Sequence, residues 1–336
     1  MAFDKIFIKQ SVKEFPRTLL RGVGQVMFQD SMWTGLIFLA GIIWGAYEEH
    51  FPLVCWGCIV GVFVSTLTGY ILRLPDTGGA NGLWGFNGAL VGCAFPTFLG
   101  DTVWMWIGMI LCSALSTVAR SGMDNILGRW NMSSFTFPFV ACTWIFLLSA
   151  RVFNGFPPVE MGSPEFPHGA VEASSVGILE HFAESHTSLA FGDLVIYWLK
   201  GISQVFLINS WVTGIFFLVA LAVCSWRASL WAAIASAISL FIAIIWKGPG
   251  MDISEGLYGF SAVLTGIALG ATFCNFSWRA AIWTVCGIIA TVFIQAAMNV
   301  FFTPMGFPTL TGPFCVATWI FLFPAYKFFQ PAPAKN

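Results

Sequence analysis

The chain has 336 residues, of which 57% are hydrophobic and 9% charged, and its net charge is −1. A soluble domain carries roughly a quarter charged residues, so an ordinary soluble fold is excluded. The near-zero balance also gives no electrostatic footprint for nucleic acid or for an acidic partner. With a mean hydropathy of +0.81, the composition predicts an all-α polytopic membrane protein.

In chain order, Met1–Arg21 is polar and basic and has no apolar run of the kind that makes a cleavable signal. Apolar segments follow near residues 33–47, 53–72, 83–100, 102–119 and 134–150. A second set falls near 205–223, 228–246, 257–274, 280–301 and 307–326. Several approach the ~20 residues that cross a hydrocarbon core, which predicts about ten transmembrane helices. The segments starting at Asn81 and Glu255 are Gly-rich and interrupted, so short or broken helices are expected there. Of the nine cysteines, most lie inside apolar runs, and Cys55 and Cys58 lack a second pair or a nearby His cluster. They read as small apolar packing residues and not as metal ligands. No metal or cofactor is expected.

Lys5, Lys9, Lys13, Arg17 and Arg21 precede the first span and place the N-terminus in the cytoplasm by the positive-inside rule. Alternation then puts Arg73, Arg120, Arg129, Arg227, Arg279 and Lys327 inside and Glu48 with Glu49 outside, whereas Arg151, Lys200 and Lys247 run against the bias. Both termini are therefore expected in the cytoplasm. Between Arg151 and Lys200 the chain is acidic and carries Pro157, Pro158, Pro164 and Pro167, as an external connector would. Its His168, His181 and His186 are either solvated loop residues or sensors of external pH, since free histidine titrates near 6.5. The expected organisation is an N-terminal segment at 1–30, a first repeat at 31–151, a linker at 152–192, a second repeat at 193–328 and a tail at 329–336.

Three motifs recur in order. Leu20–Gly41 and Leu199–Ala220 share nine of 22 positions. Gly82–Gly92 (GLWGFNGALVG) returns as Gly256–Gly266 (GLYGFSAVLTG), and Thr136–Leu147 (TFPFVACTWIFL) as Thr311–Leu322 (TGPFCVATWIFL). The offsets are 179, 174 and 175 residues, which is the signature of an internal duplication. An odd number of spans per copy makes the second enter from the opposite face, so two inverted five-helix repeats are expected, with a site near the midplane.

The copies retain polar residues that a lipid-facing helix has no use for. Gln25 matches Gln204, and Thr136 matches Thr311. Phe86 matches Phe260, Leu90 matches Leu264, and Phe28 corresponds to Leu207. A buried amide without a partner costs about 1–3 kcal/mol, so these groups either bond between helices or line a path for a solute. No matched pair is ionisable, and no histidine falls within a predicted span. Charged rings and proton relays are both missing from the pattern, which favours a small, neutral, hydrogen-bonding solute.

The motif G-x-G-Q-V-x-F at Gly22–Phe28 resembles the urea transporter family, as do N-G-L-x-G-F-N at Asn81–Asn87 and T-x-P-F at Thr136–Phe139 and Thr311–Phe314. The similarity covers almost the whole chain. It implies a homotrimer of independent narrow pores, each with short re-entrant pore helices, passing urea down its gradient in a membrane, here expected to be a bacterial inner membrane. It also implies aromatic slots at the two ends of the filter, joined by ladders of oxygen acceptors. Carried over by motif position, Phe28, Phe86 and Leu90 form one slot, and Phe260 with Leu264 the other. Gln25 and Gln204 offer ladder oxygens, and Thr136 and Thr311 line the constriction. Leu207 stands where the pattern has an aromatic residue, and Ser261 stands at the counterpart of Asn87, so a paired role for Asn87 is in doubt. The alternative solutes are ammonia, formamide and other short amides. An enzyme would show a nucleophile–base pair or an H-E-x-x-H ligand set, and a pump would show a phosphate-binding G-x-x-x-x-G-K-[ST] loop; the sequence has none of these.

Overall fold

The computed structural model describes residues 2–74, 78–156 and 176–328. Much of the expected linker, including His168, and the tail at 329–336 lie outside the described residues, as do 75–77. The described chain is helical, with isolated bridge residues at Leu99 and Cys274 in place of strands.

In the first half, α1 (Ala2–Gln25), α2 (Met32–Glu48), α3 (Leu53–Leu72), α4 (Phe86–Phe98), α5 (Val103–Leu127) and α6 (Phe137–Ser149) follow one another. A short α7 (Ile178–Glu184), which holds His181, precedes the second half. There, α8 (Phe191–Ser203), α9 (Trp211–Cys224), α10 (Trp226–Ile245), α11 (Gly250–Ser254), α12 (Gly259–Ile267), α13 (Trp278–Phe302) and α14 (Gly312–Phe328) follow. Among the described residues, four helices are long and apolar enough to cross a membrane (α3, α5, α10 and α13), and α8 with the turn after it passes the same test together with α9, the two bent by 71°. Five apolar helices are shorter, at 10–17 residues. The α5 helix runs eight residues beyond the apolar stretch ending near 119, because Arg120 is paired with Asp124 at 3.0 Å one turn on.

The helix starts are written in hydroxyl residues. Ser31 Oγ accepts the amide of Thr34, and Ser210 Oγ that of Thr213. Thr102 caps Met105, and Ser277 caps Ala280. Each side chain satisfies one of the amides that a helix start leaves open, and the two pairs of caps sit at matching repeat positions.

The distribution of residues is that of a protein in lipid. Large apolar groups such as Trp33, Trp44, Val103, Phe191 and Trp278 stand on the surface. Small and hydroxyl residues fill the contacts between helices. Between α3 and α4 the backbones touch through Gly57, Gly61, Gly88 and Gly92; a methyl on Gly92 would lie 1.9 Å from the Gly57 carbonyl oxygen. Hydroxyls bond across the same region: Ser65 Oγ donates to the Ser113 carbonyl at 2.7 Å, and Thr117 Oγ1 lies 3.3 Å from the carbonyls of Ser65 and Trp84.

Several of the contacts between the halves come in reciprocal pairs. Thr34 Oγ1 on α2 donates to the Ala220 carbonyl at 2.9 Å, and its counterpart Thr213 Oγ1 on α9 donates to the Gly41 carbonyl at 2.8 Å. The rings of the matched residues Phe38 and Phe217 lie between them at 4.9 Å. This order runs α2 and α9 antiparallel. Likewise Trp144 Nε1 donates to the Pro308 carbonyl at 2.8 Å and Trp319 Nε1 to that of Ser133 at 2.9 Å. Each partner is the other's repeat counterpart.

The spacing between the copies changes by one residue along α12, from 174 at Leu264 to 175 at Ser277. The last turn here, Ala268–Thr272, is a π-helix. A π-turn takes one residue more than the α-turn it replaces, so the extra residue is absorbed inside the helix, and Thr272 Oγ1 donates to the Ile267 carbonyl at 3.2 Å.

Gly92→Leu should prevent the α3–α4 approach, since overpacking costs about 1–3 kcal/mol or more and the obstacle here is backbone. The expected outcome is loss of the monodisperse species on size exclusion in detergent, or a clearly lowered thermal midpoint.

Candidate functional site

The two matched glutamines end matching helices and are held alike. Gln25 Nε2 donates to the Asn81 carbonyl at 2.9 Å, and Gln204 Nε2 to the Glu255 carbonyl at 3.0 Å. Each amide is thus tied to backbone by its nitrogen, leaving Oε1 as an acceptor. The loop that receives each of them turns on a glycine, Gly82 (φ +93°) or Gly256 (φ +72°), where a side chain would strike the backbone of the helix bearing the glutamine.

Thr136 and Thr311 come together. Their hydroxyl oxygens are 2.6 Å apart, both residues are buried, and Cys315 Sγ lies 3.4 Å from Thr136 Oγ1. Thr136 is the N-cap of α6 but its hydroxyl makes no capping bond, and α14 begins one residue after Thr311. Two helix N-termini, each carrying about half a positive charge, therefore converge on one pair of hydroxyls.

A cavity of about 820 Å³ opens from this point on one side, lined by Gln204, Leu207, Phe260, Thr311, Phe98, Phe139 and Leu310 among others. It holds four of the residues expected from the sequence. Phenyl rings cluster around Phe28. Phe28 lies edge-on to Phe273 at 5.6 Å, to Phe314 at 6.0 Å and to Phe135 at 6.2 Å. Phe135 is itself 5.5 Å from both Phe273 and Phe314. Of the remaining expected residues, Leu90 and Leu264 are fully buried. Phe86 is buried beneath the Arg120 guanidinium at 5.7 Å. Asn87 is buried too, and its Oδ1 accepts the amide of Phe139 at 3.1 Å; it thereby serves the start of α6, a task that the shorter Ser261 leaves unfilled, its own hydroxyl having no partner.

The backbone marks the same places. Phe28 (φ 63°), Leu207 (56°), Phe135 (51°) and Leu310 (49°) are all left-handed. For bulky residues this costs about 1–3 kcal/mol each; Leu207 and Leu310 line the cavity, and Phe28 and Phe135 touch in the ring cluster. Phe135 and Leu310 were not selected from the sequence. They directly precede the matched threonines, and, like Phe28 and Leu207, they put Phe in the first copy and Leu in the second. That repeated exchange was the available signal.

One acidic side chain, Asp252, lines the cavity. Asp252 lies on α11 with its carboxyl raised above the ordinary 3.8 by burial and by the charge of Glu255. Glu49, at the end of α2, is raised from 4.5 by burial, against the pull of Lys200. A carboxyl raised in the fold holds its proton longer than in the unfolded chain, so the fold loses stability as pH rises above the ordinary carboxylate value through the raised one. Asp252→Asn should flatten that part of the curve of thermal midpoint against pH, measured from pH 4 upward (about the unperturbed carboxylate range).

Residues 17–326 match the family model described as "Urea transporter". The chain is 30% identical over 317 residues to urea transporter 1 of Rattus norvegicus and to that of Mus musculus, covering 94% of this chain and 78% of each relative. It is 29% identical over 321 residues to urea transporter 1 of Ovis aries, with the same coverage. A family match over nearly the whole length, on a helical framework with its apolar residues outward, makes this a multi-pass membrane protein and a member of the urea transporter family.

Proposed function

We propose that the protein is a passive channel that carries urea down its gradient along a path between two inverted five-span halves, 31–151 and 193–328. The observation that carries this reading is the meeting of Thr136 and Thr311 at 2.6 Å, where a cavity walled by Gln204, Leu207 and Phe260 ends. The reciprocal pairs Thr34–Ala220 with Thr213–Gly41, and Trp144–Pro308 with Trp319–Ser133, support a pseudo-two-fold relation between the halves. The 71° break between α8 and α9 supports a re-entrant pore helix ending at Gln204. The basic residues Arg17 and Arg21 favour cytoplasmic termini, with the 152–192 linker external. A homotrimer of independent pores in a bacterial inner membrane is the assembly that the family resemblance implies.

Urea is planar, with four N–H donors and one carbonyl. Dehydrating it leaves those groups unpaired unless the wall supplies oxygens. Gln25 and Gln204 present amide oxygens at the two approaches, and the threonine hydroxyls present acceptors between them. Each exchange of water for a wall oxygen is worth only about 0.5–1.5 kcal/mol net, which suits a solute that must leave as readily as it enters. The converging N-termini of α6 and α14 favour a carbonyl oxygen and disfavour a cation, so ammonium and sodium meet an unfavourable potential and no charged ligand. No bond is made or broken in this activity.

The test is stopped-flow light scattering of proteoliposomes containing the purified protein. Thr136→Val and Thr311→Val keep the shape and remove an acceptor, so urea flux should fall about two- to tenfold, the rate equivalent of one lost hydrogen bond. Wild-type flux in both folded variants overturns the ladder. Formamide or ammonia flux without urea flux overturns the choice of solute.

A further inference from the structure

The two mouths are built from matching parts but are not alike. Each receives two phenyl rings from the opposite half: Phe273 and Phe314 on the Phe28 side, Phe98 and Phe139 on the Leu207 side. The difference lies in what each half supplies to its own mouth. At two matched positions the first copy places Phe28 and Phe135 there and the second places Leu207 and Leu310, all four on the same left-handed backbone, although Phe260 and Phe307 of the second copy also line the Leu207 side. With leucines the mouth holds a cavity of about 820 Å³. With phenylalanines the rings close to centroid distances of 5.5–6.2 Å.

Resting on the channel reading above, we propose that Phe135 is a selectivity-determining residue, closing the Phe28 mouth to any amide wider than an unsubstituted one. Its ring touches three of the others and packs against Trp319 at 6.4 Å, so it is held from behind and cannot simply swing aside. Phe28 lines the mouth, and Phe135 fixes how far its walls part. The π-turn before Phe273 serves the same closure, since it accommodates the extra residue of the second copy and delivers that ring to both Phe28 and Phe135. The Leu310 mouth admits larger solutes that go no further.

The experiment compares 1,3-dimethylurea with urea flux in proteoliposomes. Leucine already occupies this backbone conformation at position 310, so Phe135→Leu introduces a side chain that the fold accommodates. A pocket discriminates a methyl group by about tenfold or more, so the dimethylurea-to-urea ratio should rise about tenfold in Phe135→Leu and should not rise in Leu310→Phe. If Phe135→Leu does not assemble, Phe273→Leu removes a ring from the same cluster without touching a left-handed residue and should raise the ratio likewise. A folded variant at position 135 or, failing that, 273 with the wild-type ratio overturns the assignment while leaving urea conduction standing. A wild-type protein that carries no urea overturns both.

Discussion

Everything in this protein depends on the packing of one half against its own copy. Part of the contact is made by hydroxyls and indoles that reach carbonyls of the other half in twinned bonds. Thr34 and Thr213 exchange partners across α2 and α9, and Trp144 and Trp319 do so across the segments that lead into α6 and α14. In lipid the apolar effect does little to hold helices together, because the surroundings are as apolar as the side chains. Directional bonds and close backbone approach must do it, and the glycine contacts between α3 and α4 supply the second. The fold can therefore spend large apolar groups on its outside and keep small polar ones within.

This arrangement explains how a polar path is tolerated at the centre. Hydroxyls that face one another, as Thr136 and Thr311 do, satisfy each other when no solute is present. The glutamines are anchored by their nitrogens to neighbouring turns, so their oxygens are presented without the amide being free to fold back. These groups are preorganised by the bonds they make.

Much of this was legible in the sequence, because duplication writes each of these positions twice. The pairs Gln25–Gln204 and Thr136–Thr311 were visible as repeats, and in the fold they occupy equivalent or touching positions. The signal failed where conformation, and not residue type, carries the information. Nothing in the letters F or L announces a left-handed backbone, so Phe135 and Leu310 went unnoticed beside the threonines they precede. Asn87 was grouped with its neighbours by motif, but its geometry ties it to the start of α6. The length of α5 was underestimated because hydropathy falls at Arg120, although that guanidinium is buried against Phe86 and paired with Asp124. The offsets of 174 and 175 differ by one residue, and the fold places that residue in a widened helical turn.

The unequal mouths bear on why both copies reside in one polypeptide. Two half-length subunits around an exact dyad would present the same residue at either end, so every tightening would be imposed twice. Covalent fusion lifts that constraint. Resistances in series are governed by the larger, so relaxing one end to leucine leaves discrimination to the other and shortens the distance over which a traveller is gripped.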